Sequence, residues 1–94
     1  MRLDREELAA LQKAIKSVDG EVFLFGSRTD DSRRGGEINI LVFSDEAPFA
    51  LSRRIAVDFF MECEEKIDVV VMNPNALTNE QQAFLNTVSL HKIA

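Results

Sequence analysis

One stretch restricts the fold of this chain more than any other: VFLFGSRTDDSRRGGEINILV, residues 22–42. Val22-Phe23-Leu24-Phe25 is apolar at every position, the pattern of a central strand covered by helices on both faces. The run breaks at once on Gly26-Ser27, and a polar loop leads to Glu37-Ile38-Asn39-Ile40-Leu41-Val42. There the side chains alternate: Ile38, Ile40 and Val42 share one face, while Glu37, Asn39 and Leu41 share the other. Glu37 and Asn39 therefore project together beside the turn, roughly 7 Å apart along a strand of ordinary rise.

The loop from Gly26 to Gly36 is the first place where chemistry can sit. Gly26 permits a tight turn and a close backbone approach, and Ser27 offers a hydroxyl and an amide. A short helical turn there would aim its first amides at an anion such as phosphate, with Arg28, Arg33 and Arg34 adding positive charge. Two readings fit the loop by itself: a phosphate-holding turn or a solvated surface turn. Glu37 and Asn39 likewise read either as metal-facing ligands or as polar strand residues that meet water.

The remainder of the chain alternates helical and strand patterns. Asp4 and Glu7 form a capping box with a Leu3–Leu8 staple, and Leu8, Leu11, Ala14, Ile15 and Val18 share one helical face that should run to Gly20. Pro48 opens a second helix whose inner face repeats at Leu51, Ile55, Phe59 and Cys63, widened by Ala56 and Phe60. Lys66 to Met72 reads as a third strand with an aspartate, Asp68, inside an apolar run. An ionised carboxylate there requires solvent, a cation or hydrogen-bond donors, so Asp68 is either a site residue or a paired structural one. Thr78 with Gln81 forms a second capping box, and Ser89 to Ile93 reads as a short edge strand. Cys63 reads as a packing residue, since the chain's single histidine, His91, falls in the tail.

Composition narrows the class of function. At 94 residues the chain makes one domain with one core. Sixteen acids against eleven bases give a net charge of −5, which disfavours binding to a nucleic-acid backbone. No apolar run approaches the ~20 residues that span a bilayer, so no membrane partner is expected. A single cysteine allows no internal disulfide and suits a reducing, cytoplasmic compartment.

Gly26-Ser27, a nine-residue loop, two polar residues one position apart on the following strand, and an acid on a later strand form a recognisable series. It resembles the minimal nucleotidyltransferase family, the small bacterial form of the DNA polymerase beta type of nucleotidyltransferase fold, and the order of elements matches over nearly the whole chain. The resemblance implies an α/β fold, with a mixed sheet of three to four strands and about four helices packed on it. It implies a phosphate turn at Gly26 and Ser27 with Arg28 beside it, metal ligation by Glu37, Asn39 and Asp68, and a catalytic role for Asp68 in activating an incoming hydroxyl. It further implies Mg²⁺ as cofactor, a nucleotide such as ATP as substrate, transfer of AMP to a protein or small acceptor, and an antitoxin-like pairing with a helical HEPN-type protein or self-association.

The family carries acid-x-acid where this chain reads Glu37-Ile38-Asn39. A carboxamide oxygen can ligate Mg²⁺ but is neutral, and Glu37 is one methylene longer than an aspartate. Mg²⁺ tolerates poor geometry badly, so the expectation is a weakened metal site. Two functional classes follow: an impaired nucleotidyltransferase, or a catalytically silent module that has kept its shape for binding.

Overall fold

A computed structural model describes residues 3–30 and 36–94. Its elements in chain order are α1 (Arg5–Ala14), β1 (Val22–Phe25), a four-residue 3₁₀ turn (Gly26–Thr29), β2 (Ile38–Phe43), α2 (Pro48–Cys63), β3 (Ile67–Met72), α3 (Asn79–Thr87) and β4 (Leu90–Lys92). The strands form one mixed sheet in the order β3-β2-β1-β4, with β2 parallel to β3 and β1 antiparallel to both β2 and β4.

Both capping boxes form. The Asp4 carboxylate accepts from the Glu7 amide and the Glu7 side chain accepts from the Asp4 amide; Thr78 and Gln81 do the same for α3. Pro48 opens α2. The tail segment is an edge strand, as its sequence suggested, tied to β1 by backbone bonds that include Val22 N–H to the Ala94 carbonyl at 2.7 Å.

Two expectations need correction. The described residues hold three α-helices where about four were expected. The short helical turn anticipated after Gly26 does form, as a single 3₁₀ turn closed by Asp30 N–H on the Ser27 carbonyl and by the Thr29 hydroxyl on the Gly26 carbonyl, with the backbone extended again at Asp30. The first helix stops at Ala14 and does not reach Gly20. Its end tightens into i→i+3 bonds, Lys16 N–H to Lys13 and Val18 N–H to Ile15. Ile15 still turns into the core, and Val18 packs against it. Gly20 has a different task. Its φ of 148° and its closeness to the Phe43 carbonyl oxygen leave no room for a Cβ, so it lets the incoming chain lie against the end of β2.

The two faces of the sheet are unequal. Val22, Leu24, Ile38, Ile40, Val42, Ile67 and Val71 point to one face and are buried beneath Leu11 and Ala14 of α1, Ile15 just after it, and Leu51, Ile55 and Phe59 of α2. The opposite face carries Phe23, Phe25, Asn39, Leu41, Phe43, Asp68 and Val70. Phe84 of α3 meets Phe25 there edge to face, with ring centroids 5.4 Å apart, and Phe23 meets Phe43 in the same manner at 5.6 Å. Both principal helices thus lie on one side, and among the described residues α3 meets the second side of β1 through Phe84.

Candidate functional site

The mixed topology fixes where the candidate residues meet. β1 runs antiparallel to β2, and β2 runs parallel to β3. The end of β1 and the starts of β2 and β3 therefore lie at one end of the sheet. In register, Phe25 pairs with Asn39 and Asn39 pairs with Asp68. Residues paired in this way point to the same face, so Asn39 and Asp68 stand side by side. Glu37, two positions before Asn39, leads into the same corner. Glu37 and Asp68 line a common depression of about 140 Å³ together with Lys66 and Ile67. A larger groove of about 310 Å³ starts from the same Lys66-Ile67-Asp68 wall and runs along α2, past Phe60, Ala56, Val57 and Arg53.

The turn closes over this corner. Gly26 has φ 83°, and a Cβ built on it would lie 2.8 Å from the side-chain amide nitrogen of Asn39. Glycine is thus required twice at this position, by its backbone angle and by the Asn39 amide lying over it. Gly36 lies directly against the Ser27 hydroxyl, so the two ends of the loop touch. Arg33 and Arg34, whose charge was expected beside the turn, fall outside the described residues.

Arg28 sits differently from a simple phosphate ligand. Its Nη1 and Nη2 donate to Oε1 and Oε2 of Glu7 at 2.9 and 3.1 Å, a two-pronged fork, and its Nε donates to the Gly36 carbonyl at 3.0 Å. Glu7 is almost wholly buried and the Arg28 side chain is only 13% exposed. Burial alone would raise the Glu7 carboxyl, but the Arg28 fork, the Asp4 amide and the neighbouring Glu65 side chain outweigh it and hold Glu7 below its ordinary range. Arg28 therefore ties the turn to the start of α1 and closes the loop on Gly36.

Sequence reasoning assigned Glu7 to its capping box and stopped there. The missed signal was its place on the helix, since Glu7, Ala10, Leu11 and Ala14 share the buried face. A carboxylate on an apolar helical face needs a cationic partner from elsewhere in the fold.

The described residues contain no cluster of three or more His, Cys, Asp or Glu side chains that could hold a metal. What they offer at the sheet end is two carboxylates, Glu37 and Asp68, and one carboxamide, Asn39. These are hard oxygen donors, and Mg²⁺ is commonly held by one or two carboxylates together with substrate phosphates. The donor set therefore fits one Mg²⁺ ion bound jointly with a nucleotide and is short of charge for a pair of ions. Cys63 takes no part in such chemistry. Burial, and an S–H that donates to the Glu65 carboxylate at 3.0 Å, push its thiol up to about 12, so the nucleophilic thiolate is scarce at neutral pH.

No protein-family model and no curated protein matches this sequence. None of the helices among the described residues is long and apolar enough to cross a membrane.

Proposed function

We propose that the corner formed by Gly26, Ser27, Glu37, Asn39 and Asp68 is a nucleotide site of the nucleotidyltransferase type, with Mg²⁺-dependent transfer of a nucleoside monophosphate as its reaction. The observation that carries this reading is the register Phe25–Asn39–Asp68, which sets the turn and the polar residues of two other strands at one end of the sheet.

In this reading the Gly26-Ser27 turn receives the triphosphate through its amides and hydroxyl. Glu37, Asn39 and Asp68 would hold Mg²⁺, which when bound neutralises phosphate charge and steadies the leaving group. Asp68 accepts the proton of an acceptor hydroxyl on a partner protein or small molecule. The hydroxyl oxygen bonds to the α-phosphorus, the bond to the bridging oxygen breaks, and pyrophosphate departs. AMP from ATP is the transfer this family most often performs. The neutral Asn39 lowers metal affinity at the centre of the cluster, so binding is weak and turnover slow.

One observation favours a second reading, a silent binding module that pairs with a HEPN-type helical protein. The Arg28 guanidinium beside the turn makes a fork with Glu7, which lessens the positive charge presented to a triphosphate. Single-turnover assays with ATP labelled at the α-phosphate, with and without Mg²⁺ and a candidate helical partner, separate the two. Label appearing in an acceptor, and lost in Asp68→Asn, supports transfer. Nucleotide-independent complex formation with no label transferred supports the module.

A further inference from the structure

Two rows of side chains make up the open corner of the sheet. Asn39 and Asp68 are paired in register across β2 and β3. The first pair of that register is Ile38–Ile67. One step before it Glu37 and Lys66 come opposite each other, and both line the depression that holds Asp68. Strand residues two apart share a face, so Lys66 stands with Asp68 and Glu37 with Asn39. The four side chains therefore form a block, with the two carboxylates on one diagonal and the ammonium and carboxamide on the other.

The simplest use of a lysine beside a glutamate is an ion pair, which would cancel both charges. Among the described residues Lys66 takes part in no ion pair, whereas Lys13, Arg28, Arg54 and Lys92 each do. Lys66, Glu37 and Asp68 are all exposed, so the ammonium is left facing water in the depression on a flexible four-carbon stem. A second ordinary role is to keep the outer strand β3 from pairing with another sheet. That role needs a charge on the edge, but neither a depression nor carboxylates around it.

The charge balance of the corner points to a ligand. Two carboxylates beside one ammonium hold Mg²⁺ weakly by themselves, because the ammonium repels the cation that the carboxylates attract. A triphosphate reverses this balance. It brings more negative charge than one Mg²⁺ neutralises, and its oxygens can meet both the metal and a lysine. We propose that Lys66 is a phosphate-binding residue of this corner, donating to a nucleotide phosphate and supplying part of the charge that a second metal ion would carry. This role rests on the nucleotide reading of the site. It also suits a donor set that fits one Mg²⁺ and is short of charge for two.

Calorimetric titration with two probes tests it: inorganic tripolyphosphate and a non-hydrolysable ATP analogue, each with and without Mg²⁺. Lys66→Met should weaken binding of both by about tenfold, the loss expected for one charge-assisted hydrogen bond, and the loss should be greatest without Mg²⁺. Lys66→Arg, which keeps the cation, should retain most of the affinity. Circular dichroism and melting of both variants should match the natural chain, since the residue is exposed and precedes the strand. Suppose instead that the natural chain binds the probes, Asp68→Asn weakens the Mg²⁺-dependent part, and Lys66→Met changes nothing. Lys66 is then a solvated edge residue; the proposal falls and the nucleotide reading stands. Equal losses in Lys66→Met and Lys66→Arg would leave Lys66 only a shaping role and overturn the proposal as well. A natural chain that binds neither probe removes the nucleotide reading and the proposal together.

Discussion

The two faces of the sheet obey different rules. On the face covered by α1 and α2, every inward position of β1, β2 and β3 is a branched aliphatic, and nearly all are buried. On the other face the rows begin with Phe25, Asn39 and Asp68, and only farther along do Leu41 and Val70 restore an apolar pattern. The first face is built by exclusion of water, where polar groups are costly. The second keeps its polar residues at the sheet end, where the turn and open depressions supply water and space. Stability should therefore reside in the first face and ligand response in the second, and substitutions should separate them.

The largest effect is expected at Phe59, which is fully buried between α2 and the sheet. Phe59→Ala should cost about 3–5 kcal/mol through lost burial and a residual cavity. In a domain of this size that leaves little cooperative unfolding to measure by urea denaturation. A loss below about 1 kcal/mol would mean that the covered face is not the principal core.

Next comes the tie between the faces. Arg28→Ala would leave the Glu7 carboxylate buried without its fork, at a cost of about 2–3 kcal/mol at neutral pH. The pH dependence has a defined sign. Glu7 is held below its unfolded value, so its contribution is present above about pH 4.3 and is lost as pH falls through the folded value. The stability difference between the natural chain and Arg28→Ala should therefore be full at neutral pH and shrink as acid is added. A difference that stays constant down to strongly acidic pH would show that Arg28 acts by packing alone. Gly26→Ala should cost less, about 1–2 kcal/mol, mostly from its left-handed backbone. Adding Asn39→Ala should recover only the smaller part due to the Asn39 amide, a coupling that a double-mutant cycle reads directly.

These cases show what sequence could and could not supply. The strands, both capping boxes and the Pro48 helix start depend on local chemistry or on period-two alternation, and each could be argued from neighbouring residues; the row shared by Asn39 and Asp68 is a register between two strands and could not. The length of α1 could not. Ile15 and Val18 continue the helical spacing while the backbone has already tightened into a turn, so side-chain periodicity outlasts the helix. Gly20 looked like a helix terminator because its contact, the Phe43 carbonyl, lies 23 positions away along the chain. The Glu7–Arg28 fork spans 21 positions, and only the misplaced charge on the apolar face of α1 announced it. At the site, residue identities and spacing were legible, whereas the closeness of Asn39 to Gly26 and of Ser27 to Gly36 depends on how the loop closes.

At the small end, Asp68→Asn should leave stability within about 0.5 kcal/mol of the natural chain, because the side chain is exposed on an edge strand. A loss above about 2 kcal/mol in thermal or urea unfolding would make Asp68 a structural carboxylate and remove it from the site.

The central claim, that Glu37, Asn39 and Asp68 form a metal–nucleotide site short of one charge, is tested most directly by calorimetric titration of a non-hydrolysable ATP analogue with and without Mg²⁺. The comparison is between the natural chain, Asn39→Asp, and Asn39→Asp combined with Glu37→Asp. One added carboxylate at the ligating position should tighten Mg²⁺-dependent binding on the order of tenfold, and the double variant should bind more tightly still because it also restores the shorter reach. Without Mg²⁺ both variants should be slightly less stable than the natural chain, from repulsion among the crowded carboxylates. Binding that is absent in all three proteins, or present but indifferent to Mg²⁺ and to both substitutions, would contradict the account.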